Sequence, residues 1–213
     1  MKKFIALALC LISLTASAQS TIVNNPANKT YFGLRVGGEL TCPGDISSDG
    51  VSVDIFKLGG GIEFGGILNA PIIANFYIEP GLNFYYNSYA LNDKTEYEGI
   101  LIRKWGMRIP VMAGYHFDFT DDVKLSVFTG PELEVGFVAD ANYKNKRESV
   151  SEDIYGDDGI MQRVDLLWDF GVGITYKHVY FGVKGGIGML DMLSVSRANF
   201  HENRVTFSLG YNF

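Results

Sequence analysis

The chain has 213 residues, with 18 Lys+Arg against 24 Asp+Glu for a formal charge of −6, 14% aromatic residues, 25 Gly and only 2 Cys. So few cysteines exclude a disulfide scaffold, so many aromatics exclude a disordered chain, and an acidic balance excludes a nucleic-acid binder. Glycine-rich, aromatic-rich composition favours strands over helices.

The first element is a targeting segment. Lys2 and Lys3 form a basic start, Phe4 to Leu14 an apolar stretch, and Ala16-Ser17-Ala18 a small-x-small cleavage site. Residues 1–18 are therefore predicted to be a cleavable signal peptide. Cys10 is removed with it, so the remaining Cys42 has no intrachain partner.

Eight alternating segments follow, each with apolar residues on one face and polar or small residues on the other, the period of a strand. Phe32, Leu34, Val36 and Leu40 oppose Arg35 and Glu39; Phe56, Leu58, Ile62 and Phe64 oppose Lys57 and Glu63. Phe76 to Tyr86 opposes Glu79, Asn83 and Tyr85, and Trp105 to Phe117 opposes Lys104, Arg108 and His116. Val123 to Phe137 opposes Lys124, Glu132 and Glu134, and Leu166 to Tyr176 opposes Asp165, Asp169 and Lys177. Val179 to Met189 opposes Lys184, and Val205 to Phe213 opposes Arg204 and the even positions after it. Long predicted connections, 41–55, 87–99, 139–162 and 190–203, alternate with shorter ones at 68–74, 118–122 and 177–178.

Such segments can each supply the roughly 9–11 residues of a tilted membrane-crossing strand. With long loops at one end and short turns at the other, the pattern predicts an all-β fold, an eight-stranded antiparallel up-and-down transmembrane barrel in a bacterial outer membrane. Residues 19–30 become a periplasmic N-terminal tail and 31–213 the barrel. Aromatics near both strand ends, Phe56 among them, are read as interface girdles. Pro80, Pro110 and Pro131 predict local bends, because each lacks a ladder donor.

The polar face is too charged for an apolar core. Arg35, Lys57, Lys104, Arg108, Lys124, Lys177, Lys184 and Arg204 nearly balance Glu39, Glu63, Glu79, Glu132, Glu134, Asp165 and Asp169. In a barrel of eight strands, whose lumen holds little beyond side chains, these are expected to form an ion-pair network that plugs the interior.

The signal peptide, Arg108-Ile109-Pro110-Val111-Met112-Ala113-Gly114-Tyr115, Thr129-Gly130-Pro131 and the terminal Tyr211-Asn212-Phe213 together resemble the Bacteroidetes outer-membrane β-barrel family often labelled porin-like or PorT-like. The resemblance runs from about residue 31 to the end. It implies fold and location rather than an activity, and it implies that Tyr211 and Phe213 act as an assembly signal for the barrel insertion machinery.

Little chemistry accompanies this pattern. His116, His178 and His201 show no metal-ligand spacing, and only His201 falls in a long loop, with Glu202 beside it read as ordinary loop charge. Neither Gly59-Gly60-Gly61 nor Gly185-Gly186-Ile187-Gly188 completes a phosphate-binding loop. Asp140, Glu148, Glu152, Asp153, Asp157 and Asp158 make the third long loop acidic without the spacing of a Ca²⁺ loop. No catalytic or metal residue and no cofactor is expected. The leading reading is a monomeric structural or surface-interaction barrel, in contact with outer-membrane lipid and lipopolysaccharide and open to an extracellular ligand at its loops. A narrow solute channel and a secreted lipocalin-like barrel are the alternatives, the latter with its apolar face inside.

Overall fold

The computed structural model describes residues 29–48, 51–91, 100–145, 148–155, 159, 161–193 and 198–213. The signal-peptide segment lies outside these residues, as does most of the predicted tail. Eight long strands run in order: β1 (Tyr31–Pro43), β2 (Gly59–Ile73), β3 (Phe76–Ala90), β4 (Leu101–Asp118), β5 (Val123–Asn145), β6 (Val164–Tyr176), β7 (Val179–Gly188) and β8 (Glu202–Asn212). Each pairs antiparallel with its neighbour in sequence, and β1 pairs with β8, so the sheet closes on itself. Closure gives every barrel strand two neighbours, which is what a spanning sheet requires where no water can satisfy its backbone.

The faces are those expected from the alternation. Leu34, Val36, Ile62, Phe64, Val172 and Ile174 point outward and are exposed, whereas Glu39, Glu63, Arg108, Glu132 and Arg204 are buried inside. A lipocalin-like arrangement, with apolar residues lining the interior, is thereby overturned. Trp105 packs edge-on to Phe137 near the loop end, and Phe76, Tyr115 and Phe117 cluster near the turn end.

Several connections differ in length from the sequence reading. Strand β2 continues to Ile73, so the predicted 68–74 connection reduces to Ala74-Asn75; Lys177-His178 is the other two-residue turn. Ala74 and Lys177 take φ values of 50° and 55°, the left-handed backbone that tight hairpins demand. Strand β3 runs through Ala90, and β5 continues to Asn145 before folding back as Glu148–Asp153. Four acidic positions of the third loop therefore sit on a paired hairpin rather than a loose loop, while Asp157 and Asp158 lie outside the described residues.

Pro80, Pro110 and Pro131 interrupt pairing without moving the register. Pairing between β3 and β4 passes from Pro80↔Val111 to Asn83↔Arg108, and between β4 and β5 from Pro110↔Glu132 to Ala113↔Thr129. Register shifts occur instead at Pro71/Ile73 and Trp105/Gly106.

Candidate functional site

Inward positions of all eight strands converge on one buried cluster. Arg108 on β4 is its centre: Nε donates to Glu134 on β5 at 2.8 Å, Nη1 to Glu63 on β2 at 3.2 Å, and both terminal nitrogens to Glu39 on β1. Its guanidinium lies over the Tyr85 ring of β3, 3.9 Å from the centroid. Arg204 on β8 donates to Glu134 at 2.7 Å and to Glu132. Lys184 on β7 reaches Glu132 at 2.7 Å and Asp169 on β6 at 3.2 Å. Lys104 on β4 reaches Glu202 on β8 at 2.7 Å, and Asn87 on β3 donates to both Glu39 and Glu202.

Buried charges of this kind are tolerable only when paired and hydrogen-bonded. Planar guanidinium forks suit the task, since one Arg can meet several carboxylates at once. Inward glycines supply the room; a Cβ at Gly186, for instance, would press on Asp169 and Arg204.

Toward the turns the packing changes character. Arg35 lies over the Tyr180 ring at 4.0 Å, and Glu79 accepts from Asn69 at 2.9 Å. His116 stacks on Tyr77 at 4.1 Å, with Nδ1 2.9 Å from Ser126 Oγ. A cavity of about 50 Å³ remains between this layer and the central cluster.

Not every expected lumen charge is here. Lys57 precedes β2 at the loop rim, its backbone N–H donating to the Ala90 carbonyl. Lys124 sits at the turn-side mouth 3.7 Å from Asp118, and Lys177 in its turn 4.0 Å from Asp122. Asp165 is buried, and its carboxylate accepts the Leu166 N–H. Glu202, read from sequence as loop charge, points into the lumen instead, because β8 begins two residues before the alternation that starts at Arg204. The interior consequently holds Arg35, Lys104, Arg108, Lys184 and Arg204 against Glu39, Glu63, Glu79, Glu132, Glu134, Asp165, Asp169 and Glu202, an acidic excess among the described residues rather than the expected near-balance.

A second feature was not legible in the alternation. At the loop end Tyr89, Ile102, Ala139, Ile154, Tyr155, Met161, Met192 and Phe200 form a buried apolar cluster, with Phe56 packed against it. Phe56 meets Tyr89 at 5.5 Å and Phe200 at 5.0 Å, so it belongs to this cluster rather than to an outward girdle. Tyr155 fits against Gly136, where any Cβ would collide with the ring, and burial pushes its phenol up to about 12. Arg163 ties the same segment down by donating to the Phe137 and Tyr155 carbonyls. A three-stranded sheet of Ile46–Ser48, Val51–Val53 and Ala198–Asn199 joins the first loop to the last. The signal for this cluster was present as apolar residues inside the long loops, where no period marks a strand.

His178 and His201 each direct Nδ1 to a backbone carbonyl, of Asn212 and Leu190 respectively. Among the described residues no three His, Cys, Asp or Glu side chains converge as a metal site. Tyr211 and Phe213 lie outward at the turn end, with ring centroids 5.0 Å apart.

A family model described as an outer membrane protein beta-barrel domain matches residues 17–213. No curated protein matches the chain. Among solved structures, the attachment invasion locus protein Ail of Yersinia pestis, in complex with the heparin analogue sucrose octasulfate, aligns with TM-score 0.45 at 13% identity over 87% of this chain and 100% of its own. Neisserial surface protein A aligns with TM-score 0.47 at 12% identity over 87% and 100%. The outer membrane protein OprG of Pseudomonas aeruginosa aligns with TM-score 0.49 at 10% identity over 86% and 95%. None of the three bears on what this chain binds or does.

Proposed function

The chain belongs to the outer membrane protein β-barrel domain family, and from that premise we propose that it is a closed structural and surface-interaction barrel, without a steady aqueous path along its axis. The observation that carries this reading is a double seal. Ion pairs drawn from strands all round the wall cross the lumen at Arg108 and Arg204, and the apolar cluster around Tyr155 and Phe200 lies over them at the loop end. The cavity below the ion pairs, about 50 Å³, has room for only a few waters.

The surface available for interaction is then the loop end, where Glu148–Asp153 and the three-stranded loop sheet give the long connections defined backbone. The protein acts as a monomer, exported by its cleaved signal peptide and inserted through recognition of Tyr211 and Phe213, with outer-membrane lipid and lipopolysaccharide around its apolar belt. It carries no catalytic centre and needs no cofactor. The more specific Bacteroidetes, PorT-like membership rests on the Arg108–Tyr115 and Thr129–Pro131 segments.

Planar-bilayer recording of the folded full chain tests the seal, with silence or only rare brief openings expected. Reproducible steady conductance would overturn it. The acidic excess of the lumen favours one second reading, a narrow cation path that opens when the loop cluster lifts, and cation selectivity of any openings would support that alternative.

A further inference from the structure

At the end of the barrel opposite the long loops, the lumen opens into a cavity of about 310 Å³, at the small end of the range for ligand sites. Its charged side chains are of one sign. The lining residues whose side chains carry charge are Lys29, Lys124 and Lys177, the uncharged ring of His116 and the imidazole of His178 lie among them, and no Asp or Glu is part of the wall. We propose that this mouth is a binding site for a small, multiply charged oxyanion, one presenting carboxylate or phosphate oxygens.

The neighbouring acids leave the lysines capacity to bind. Asp118 and Asp122 lie outside the wall and approach Lys124 and Lys177 only at 3.7 and 4.0 Å, and Asp118 also accepts from Asn75 at 3.1 Å. An ammonium group carries three donors, so each lysine retains some for a ligand. The walls are preformed: Asn69, Thr175 and Asn212 are buried, and His178 is locked by the hydrogen bond from its Nδ1–H to the Asn212 carbonyl. Preorganisation of this kind lowers the cost of ordering a site on binding. Beyond it Glu79, held by Asn69, shares its layer with Arg35, and the ion pairs around Arg108 close the lumen above, so an anion drawn into the mouth is stopped there and does not pass. The mouth is a dead-end site, distinct from the loop surface. That it faces the periplasm follows from the barrel reading above; its chemistry does not depend on that reading.

Two sources offer the same chemistry, a free periplasmic solute and the phosphate of a lipid headgroup. Calorimetric titration of the full chain, folded in a maltoside detergent at about 0.15 M salt, where the Debye length is ~8 Å, with inorganic pyrophosphate and with citrate should give saturable binding at one site. The double variant Lys124→Gln/Lys177→Gln should weaken it about tenfold or more, as expected for losing two charge-assisted contacts. Lys57→Gln, at the opposite rim, should leave it unchanged. Both substituted lysines are at least a third exposed, so folding should survive, as the shift in gel mobility between unboiled and boiled samples can verify. Repeating the titration in phosphatidylcholine nanodiscs with and without phosphatidylglycerol separates the sources: unchanged pyrophosphate affinity supports a free solute, and loss only with phosphatidylglycerol assigns the site to lipid phosphate. Absence of saturation at millimolar probe, or equal affinity in the double variant, overturns the proposal.

Discussion

Arg108→Ala is the sharpest perturbation of the lumen. The side chain is fully buried, donates to Glu39, Glu63 and Glu134, lies 3.8 Å from Glu132, and covers Tyr85. Truncating it leaves Glu39 and Glu63 without a cation within ion-pair distance among the described residues, while Glu132 and Glu134 keep Arg204 and, respectively, Lys184 and Lys104. Two carboxylates orphaned in a site of low dielectric place the loss at about 3–5 kcal/mol, the range for breaking a buried pair by removing one partner. Urea unfolding of the barrel in lipid vesicles measures it, with fluorescence of the outward-facing Trp105 and Trp168 as the signal. Neutralising the orphans should restore part of the loss, so Arg108→Ala/Glu39→Gln should be more stable than Arg108→Ala alone, a coupling that a double-mutant cycle isolates. The penalty should also shrink in acid, where stranded carboxylates can take up protons. A loss below about 1 kcal/mol, with no recovery in the double variant, would refute the view that these charges are held by pairing rather than by water.

Two further outcomes follow from the same structure. Removing Phe213 should lower the amount of protein inserted in cells while leaving refolding into detergent largely intact, and equal loss in both assays would count against a role in assembly. Phe200→Ala should open the loop cluster, costing up to about 3–5 kcal/mol locally as for other buried aromatics; protease cleavage confined to the loops, with the barrel still resisting unboiled gels, is the expected pattern, and unchanged protease resistance would argue that the loops are held by hydrogen bonds alone.

Strand number, antiparallel order, the outward apolar belt and the inward charges were legible in the sequence because a strand repeats every two residues. That period assigns each side chain a face without reference to any other part of the chain. Arg108, Glu132, Glu134, Lys184 and Arg204 were therefore recognisable as interior residues before any contact was known. Strand ends were less legible: Asn87 and Tyr89 on β3, and Glu202 on β8, continue inward past the point where apolar neighbours stop marking the alternate face. Which charges meet was decided only by the closed barrel. Arg108 and Glu39 are 69 residues apart in sequence and touch across the lumen, a distance set by strand tilt and register over several strands. The loop cluster is likewise a tertiary product, since Phe56, Tyr155 and Phe200 come from three different connections and find one another only because the barrel brings its loop ends onto one rim. Local periodicity determines the face a residue occupies; the partner it finds there depends on the geometry of the whole sheet.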